Sequence, residues 1–455
     1  MPSLPDKILR ICEWAQIESP DLSENQRQQL HAAAVAWAQQ QNLSTPPLSF
    51  GGPNGQLLCA TQYVGVVEID DVTIEIYPKL DSALIPKGDS ASISNQAHLI
   101  PVMRNLLWML EVSEHREMVE AETGHLEEAP TTFFDLFAYL LGKHLLDQLM
   151  SGITHNYVAR VDDLSTVRGR IRLGDQASRN WNRFDRIACT WDEFTPNTSV
   201  NRLFKCACRF LANRVSYNEA ARLLIDCLAL LDGVEDVSPL TALREVEGLR
   251  FDRSMDRFRP SFDLANRLLR SSGHALGVGG ANTYVFLIDM NKLFESYVHA
   301  ALEASFDTVV HAQEIVGCLF QLKKGGIQQK ADFLWQQADE MWIGDAKYKH
   351  LARGQATSLR FKDMADVEQA TIAGRLLTPD DVRQLVVYAE LAKETTGSEV
   401  ATPSLALFYP FIGFDSECIP DCAKTWNGSN FWIVPVRVKK QNEVADVIPS
   451  LLHNP

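Results

Sequence analysis

A chain of 455 residues with 46% hydrophobic and 22% charged residues is too long for one ordinary core and too apolar for a disordered polymer, so two or three globular domains are expected. Its formal net charge of −15 excludes a polyanion binder working through overall charge, though not a local basic surface. The nine cysteines are odd in number and lack paired zinc-type spacing, and the longest apolar runs fall short of the roughly 18 residues of a membrane span; with no secretory signal, the expectation is a cytoplasmic chain without membrane contact.

In chain order, residues 1–45 read as a helical N-terminal extension built from "DKILRICEWAQ" and "ENQRQQLHAAAVAWAQQQN". "STPPLSFGGPNGQ" reads as a linker, and "YVGVVEIDDVTIEIYPKL" alternates on both sides of Asp70-Asp71, the pattern of a β-hairpin. Helical periodicity covers about 97–150, a short strand lies near "TVRGRIRL", and helices resume from about Asn197 to Leu231. Between Arg160 and Arg186 seven arginines face four aspartates, giving either a cationic patch or a solvated face of structural ion pairs. In "DEFTPNTSVNRLFK", Asp192 and Glu193 read as opening a helix, with Asn197, Thr198 or Ser199 as its N-cap. "GVGGAN" reads as a plain loop, and no G-x4-G-K-[ST] phosphate cradle is present. From about 283 the order helix, strand, strand, helix, strand suggests a compact α/β unit, opened by the amphipathic "DMNKLFESYVHAAL".

The chemistry concentrates in "KADFLWQQADEMWIGDAKYKH", residues 330–350. A hairpin with a two-residue loop at Ala338-Asp339 sets Asp332 opposite Asp345, with Cβ atoms ~4.5–5.5 Å apart. Lys347 then falls on the same face as Asp345, because side chains alternate. Two carboxylates that close repel unless a cation intervenes; oxygen ligands favour Mg²⁺, or Mn²⁺, and a lysine beside them suits phosphodiester hydrolysis. A salt bridge between Lys347 and a surface acid explains the same three residues equally well. Glu295 lies on the flank of its helix stripe, roughly 120° from the centre, within reach of the strand face or simply exposed. Gln384 and Tyr388 share one side of a helix.

Together, Glu295, Asp332, Asp345-Ala-Lys347 and Gln384-x3-Tyr388 resemble the PD-(D/E)xK nuclease superfamily, with Ala331 where the pattern's proline stands. "VGVVEIDDVTIEIYPKL", "STVRGRIRL", "WDEFTPNTSVNRLFK", "FRPSFDLANRLL" and "FLIDMNKLFESYV" occur in the order and approximate wording of the McrC family, from McrBC-type modification-dependent restriction systems specific for 5-methylcytosine, over roughly residues 60–390.

That resemblance implies an α+β or mixed α/β chain with a small N-terminal β-module and helical region at 46–280 that engages the partner, followed by a restriction-endonuclease-like α/β domain at 281–455. It implies an endonuclease subunit with Asp332, Asp345 and Glu295 as Mg²⁺ ligands (Mn²⁺ possible), Lys347 as the catalytic cation, and Gln384 and Tyr388 in support. The implied partners are DNA containing modified cytosine and an McrB-like AAA+ GTPase hexamer, which binds the GTP and whose hydrolysis the chain stimulates. Arg168, Arg170 and Arg172 are candidates for contacting DNA or that partner. The alternative is a catalytically silent subunit that only activates the GTPase.

Overall fold

The computed structural model describes residues 7–52, 54–80, 99–113, 130–251, 253, 255–271, 283–306, 309–321, 326–337, 340–348, 379–396, 402–411, 421–425, 428–438 and 444–448. The glycine cluster at 277–282, read above as a loop, lies outside them, as does most of the charged connection between 347 and 379.

The N-terminal segment corrects the sequence reading. Residues 7–18 form two strands, β1 (Lys7–Cys12) and β2 (Gln16–Glu18), and only α1 (Glu24–Gln40) is helical. The cause is tertiary: a six-residue run containing β-branched Ile8 and Ile11 is short enough to satisfy its backbone on an open sheet edge, and a neighbouring strand supplies that edge. The expected linker likewise contains β3 (Leu48–Gly51), which pairs with β4 (Leu57–Ala60) in a three-stranded sheet of order β2-β4-β3.

The hairpin forms as read. β5 (Tyr63–Ile69) and β6 (Val72–Tyr77) pair antiparallel, with Ile69 opposite Val72 and Asp70 at φ 48° in the turn. β1 adds parallel to β6, matching Ile11 with Ile76, and β10 (Thr283–Asp289) adds antiparallel to β5. Thus the strand at 283–289, grouped by sequence with the C-terminal unit, completes the N-terminal sheet of order β1-β6-β5-β10.

Six helices follow the hairpin's side of the core: α2 (Leu99–Ser113), α3 (Phe133–Met150), α5 (Ser199–Ala212), α6 (Asn218–Leu230), α7 (Pro239–Glu245) and α8 (Arg259–Arg270). Between α3 and α5 stands a small module of β7 (Asn156–Leu164), β8 (Arg170–Ile171), α4 (Leu173–Arg179) and β9 (Ile187–Thr195), with strand order β7-β9-β8 and most side chains exposed. Asp192 and Glu193 lie in β9 rather than opening a helix; they pair with Ala159 and Val158, and the ladder sets their conformation. Thr198 is the N-cap of α5, accepting from Asn201 N at 3.2 Å. Asn201, fully buried, ties the base of the module to the helices by donating to Thr154 O and Pro196 O.

The C-terminal sheet has order β11-β12-β13-β14-β16-β15. It is built from β11 (His311–Gln321), β12 (Gly326–Gln337), β13 (Glu340–Ala346), β14 (Ser404–Phe411), β15 (Asp421–Lys424) and β16 (Asn430–Arg437). β11 is a further correction, since the sequence reading placed only two strands between the helices. Its exposed, polar first half hides the alternation that marks a half-buried strand. Helix α9 (Met290–Ser305) packs on one face through Phe294 and Tyr297, while α10 (Pro379–Thr396) covers the other with Leu385, Tyr388 and Ala389.

One hydrophobic cluster runs from Ile11 in β1 to Ile448 near the C-terminus, so the two sheets share a core. Two polar contacts cross it. Trp108 on α2 donates to Tyr297 Oη at 2.9 Å, and that hydroxyl donates to Arg437 O at 2.6 Å. Glu13, fully buried, accepts at Oε1 from Lys79 N (2.9 Å) and Tyr348 Oη (2.7 Å); burial pushes its carboxyl up to about 7.

The β5–β10 seam rests on Gly65, at φ +142°, where a Cβ would stand 2.1 Å from Phe286 O. Gly65→Ala is therefore expected to lose about 2–4 kcal/mol, read as a lower thermal midpoint by circular dichroism; an unchanged midpoint would contradict this seam.

Candidate active site

The β12–β13 hairpin adopts the expected register, from Gln337↔Glu340 to Phe333↔Gly344. Asp332 and Asp345 are the next positions beyond the last pair, on one face. Beyond Asp345 the chain continues alongside β14, where Ala346 pairs with Phe408 and Lys347 N donates to Phe408 O at 2.9 Å. Both acids and the lysine are therefore placed by backbone pairing.

The side chains meet. Asp332 Oδ2 accepts from Ala346 N at 3.0 Å, so the carboxylate takes the donor that the ladder leaves free. Lys347 Nζ lies 2.7 Å from Asp345 Oδ2. This carboxylate is only 1% exposed, so the ammonium is the cation that faces it. Burial and then the charge of Asp332 push Asp345 up to about 7, and the ammonium opposes this without reversing it. Lys347 is pulled down by burial but held above its ordinary value by Asp345, Asp332 and Asp381. Asp381, buried at the start of α10, is a counter-charge that sequence reasoning missed.

Gln384 and Tyr388 reach the same place from α10. Gln384 Oε1 accepts from Lys347 Nζ at 3.3 Å, and its Nε2 donates to Tyr388 Oη at 2.6 Å. The tyrosine thus fixes which end of the amide faces the lysine. Burial raises the Tyr388 phenol above its ordinary value.

Glu295 arrives from α9, half-buried, its carboxyl raised by burial and by Asp332. It does not touch Asp332 directly: the Gln313 amide stands between them, donating to Glu295 Oε1 at 2.5 Å and to Asp332 Oδ1 at 3.1 Å. Gln313 was invisible in the sequence, where "HAQEIVG" carries no periodic signal.

Among the described residues no three acidic, histidine or cysteine side chains form a ready metal cluster. The donor chemistry nonetheless fits a hard divalent cation. Every candidate donor is a carboxylate oxygen, the ligand type such a cation prefers, and that of Asp345 is buried. Asp332 and Asp345 could hold the ion, with Glu295 one amide away.

Arg168, Arg170 and Arg172 are not brought here; they belong to the module between α3 and α5. Arg168 stacks over Trp191 at 5.0 Å, Arg172 pairs with Asp175 at 2.5 Å, and Arg170 is exposed on β8. Among the described residues Arg160, Arg179 and Arg186 also have acidic partners, so part of this surface is structural ion pairing.

The fold is a mixed α/β chain in which two acids and a lysine meet at the end of one hairpin. Comparison with known proteins narrows this: the profile of the family described as McrBC 5-methylcytosine restriction system component matches residues 58–389, and the chain belongs to that family, in agreement with the McrC resemblance. No curated protein matches the chain. Among solved structures it is similar to a chain of a half-complex from a tetradecameric assembly of Thermococcus gammatolerans McrB AAA+ hexamers with bound McrC. The TM-score is 0.64 at 16% identity, over 96% of this chain and 97% of that one. A chain of the T. gammatolerans McrBC complex, solved by cryo-EM, gives a TM-score of 0.46 at 18% identity, over 66% of this chain and 88% of that one. Among the described residues no helix is long and apolar enough to cross a membrane.

The raised Asp345 carboxyl has a consequence for stability. The folded chain holds this proton up to about pH 7, whereas an ordinary aspartate releases it near 3.8. Between those values the folded state binds more protons than the unfolded, so stability falls as pH rises and levels off above 7. Asp345→Asn removes that loss, while Lys347 keeps Asp332 and Asp381 as counter-charges. The variant's midpoint should gain on the wild type from pH 5 to pH 8, by on the order of 2 kcal/mol; a difference that stays constant across this range would contradict the assignment.

Proposed function

We propose that the chain is the nuclease subunit of a McrBC-type restriction system: a Mg²⁺-dependent endodeoxyribonuclease of the PD-(D/E)xK kind that cuts DNA containing modified cytosine. It is activated by a partner AAA+ GTPase ring whose GTP hydrolysis it stimulates. The observation that carries this reading is the convergence of Asp332, Asp345 and Lys347, with the ammonium held between Asp345 and Gln384.

Asp332 and Asp345 would hold the cation, with Glu295 joining them and Mn²⁺ able to replace Mg²⁺. When bound, the ion supplies Lewis acidity toward a phosphoryl oxygen and a more acidic water. The chain's own contribution is placement. Lys347 offers a protonated donor at the end of a strand pinned to Phe408, suited to orient a water and to stabilise charge developing on a phosphate oxygen. Gln384 and Tyr388 are positioning residues that keep the ammonium directed. The burial of Asp345 raises the cost of leaving its charge uncompensated, which favours uptake of a cation.

The test is cleavage of a cytosine-methylated plasmid by the full chain with its cognate GTPase, GTP and Mg²⁺. Lys347→Ala and Asp332→Ala should each reduce cleavage by roughly 100-fold or more while leaving stimulation of GTP hydrolysis intact. Variants that cut as well as the wild type would overturn the reading. A wild-type chain that stimulates the GTPase but never cuts would establish the silent regulatory subunit instead.

The partner reading rests on family membership, on a fold shared with a structure described as McrB AAA+ hexamers with bound McrC, and on the module between α3 and α5. That module exposes large apolar side chains, Phe184 at 98% and Trp181 at 70%, with exposed Arg183 between them in the chain. A cluster of this kind costs free energy in water and marks a contact surface. GTP is then bound by the partner. The double substitution Trp181→Asp, Phe184→Asp should weaken stimulation of GTP hydrolysis by about tenfold without moving the thermal midpoint of the chain alone; undiminished stimulation would place the partner elsewhere.

A further inference from the structure

Gln313 is the one described residue that joins Glu295 to Asp332, and it does so from an unusual backbone. It lies in β11 between the pairs Ala312↔Phe333 and Glu314↔Ala331, hence across from Asp332. Its φ is +54°, in the left-handed region that a non-glycine residue visits seldom and a strand residue more seldom still. Such a conformation persists where surrounding contacts over-determine it. Here those contacts are two charge-assisted hydrogen bonds from a single amide group, one hydrogen to Glu295 Oε1 and one to Asp332 Oδ1. Facing two carboxylates, an amide presents its NH₂ end, because its oxygen would add repulsion.

The geometry points to Gln313 as a latch that stands in for a divalent cation: its amide occupies the place between Glu295 and Asp332 and must withdraw before an ion can bridge them. An amide donor carries only partial positive charge, so it holds the two acids near each other more weakly than a divalent ion would. The side chain is exposed, so it has solvent to swing into. The two acids are thus partly neutralised by the amide, and ion uptake is set against the loss of these two hydrogen bonds. This inference rests on the nuclease reading of the same site and adds a residue that regulates its loading.

The test is Mn²⁺ binding to the full-length chain without DNA or GTPase, by calorimetry and by the electron paramagnetic resonance signal of free Mn²⁺. Gln313→Ala removes the donor, and Gln313→Met removes it while keeping the length of the side chain. Both variants should bind Mn²⁺ about a hundredfold more tightly than the wild type, since two charge-assisted hydrogen bonds, each worth about tenfold, no longer oppose uptake. Asp332→Ala should abolish binding. Affinity in both Gln313 variants that is unchanged or weaker, beside a wild type that binds, would overturn the latch and leave the nuclease site standing. A wild type and variants that all fail to bind, indistinguishably from Asp332→Ala, would overturn both.

Discussion

The pairing of β12 with β13 is the constraint on which the site depends. Once Gln337 faces Glu340, strand alternation leaves no freedom: Asp332 and Asp345 emerge beside each other, and Lys347 follows on the same side. A shift of one residue would turn one strand over relative to the other and leave Asp332 on the face opposite Asp345 and Lys347. Register in turn is held by packing, since Phe333 and Trp335 on β12 and Trp342 on β13 are fully buried on fixed faces, and Trp335 stacks on Trp342 at 5.5 Å. The hydrophobic pattern therefore specifies where the charges go, and the charges bear the cost of that placement in the raised Asp345 carboxyl.

The neighbouring elements serve this point from three directions. β14 pins Lys347 by its backbone, α10 directs its ammonium through Gln384 and supplies Asp381, and α9 carries Glu295 to within one amide of Asp332. The N-terminal half is joined to the same place. Glu13 receives the hydroxyl of Tyr348, the residue after Lys347, and Tyr297 on the Glu295 helix is fastened to Trp108 on α2. A chain whose exposed arginine and aromatic module lies in one half and whose acids lie in the other thus has buried polar contacts running between the two.

Much of this was legible in the sequence wherever a local rule applied. Period-two alternation marked both hairpins and, around the two-residue loop at Ala338-Asp339, the register of the second, and the four-residue spacing of Gln384 and Tyr388 placed them on one side of a helix. What escaped depended on partners far along the chain. "KILRIC" reads as part of a helix until β6, some sixty residues on, offers it an edge. Glu13 looks like an ordinary surface acid next to Trp14, and only the fold buries it against Tyr348. Asp192 and Glu193 were misassigned to a helix start because β9 is half exposed and its ladder partner β7 lies outside any local window. Gln313 acts through a left-handed backbone, a property that no residue type but glycine advertises.

Anomalous diffraction from a crystal of the full chain soaked in Mn²⁺ tests most directly the proposed single cation site of Asp332 and Asp345 beside Lys347. A peak bonded to one oxygen of each aspartate, with the lysine ammonium moved off Asp345, is the result expected here. Density showing no ion between the two acids at saturating Mn²⁺, with Lys347 still paired to Asp345, would contradict it.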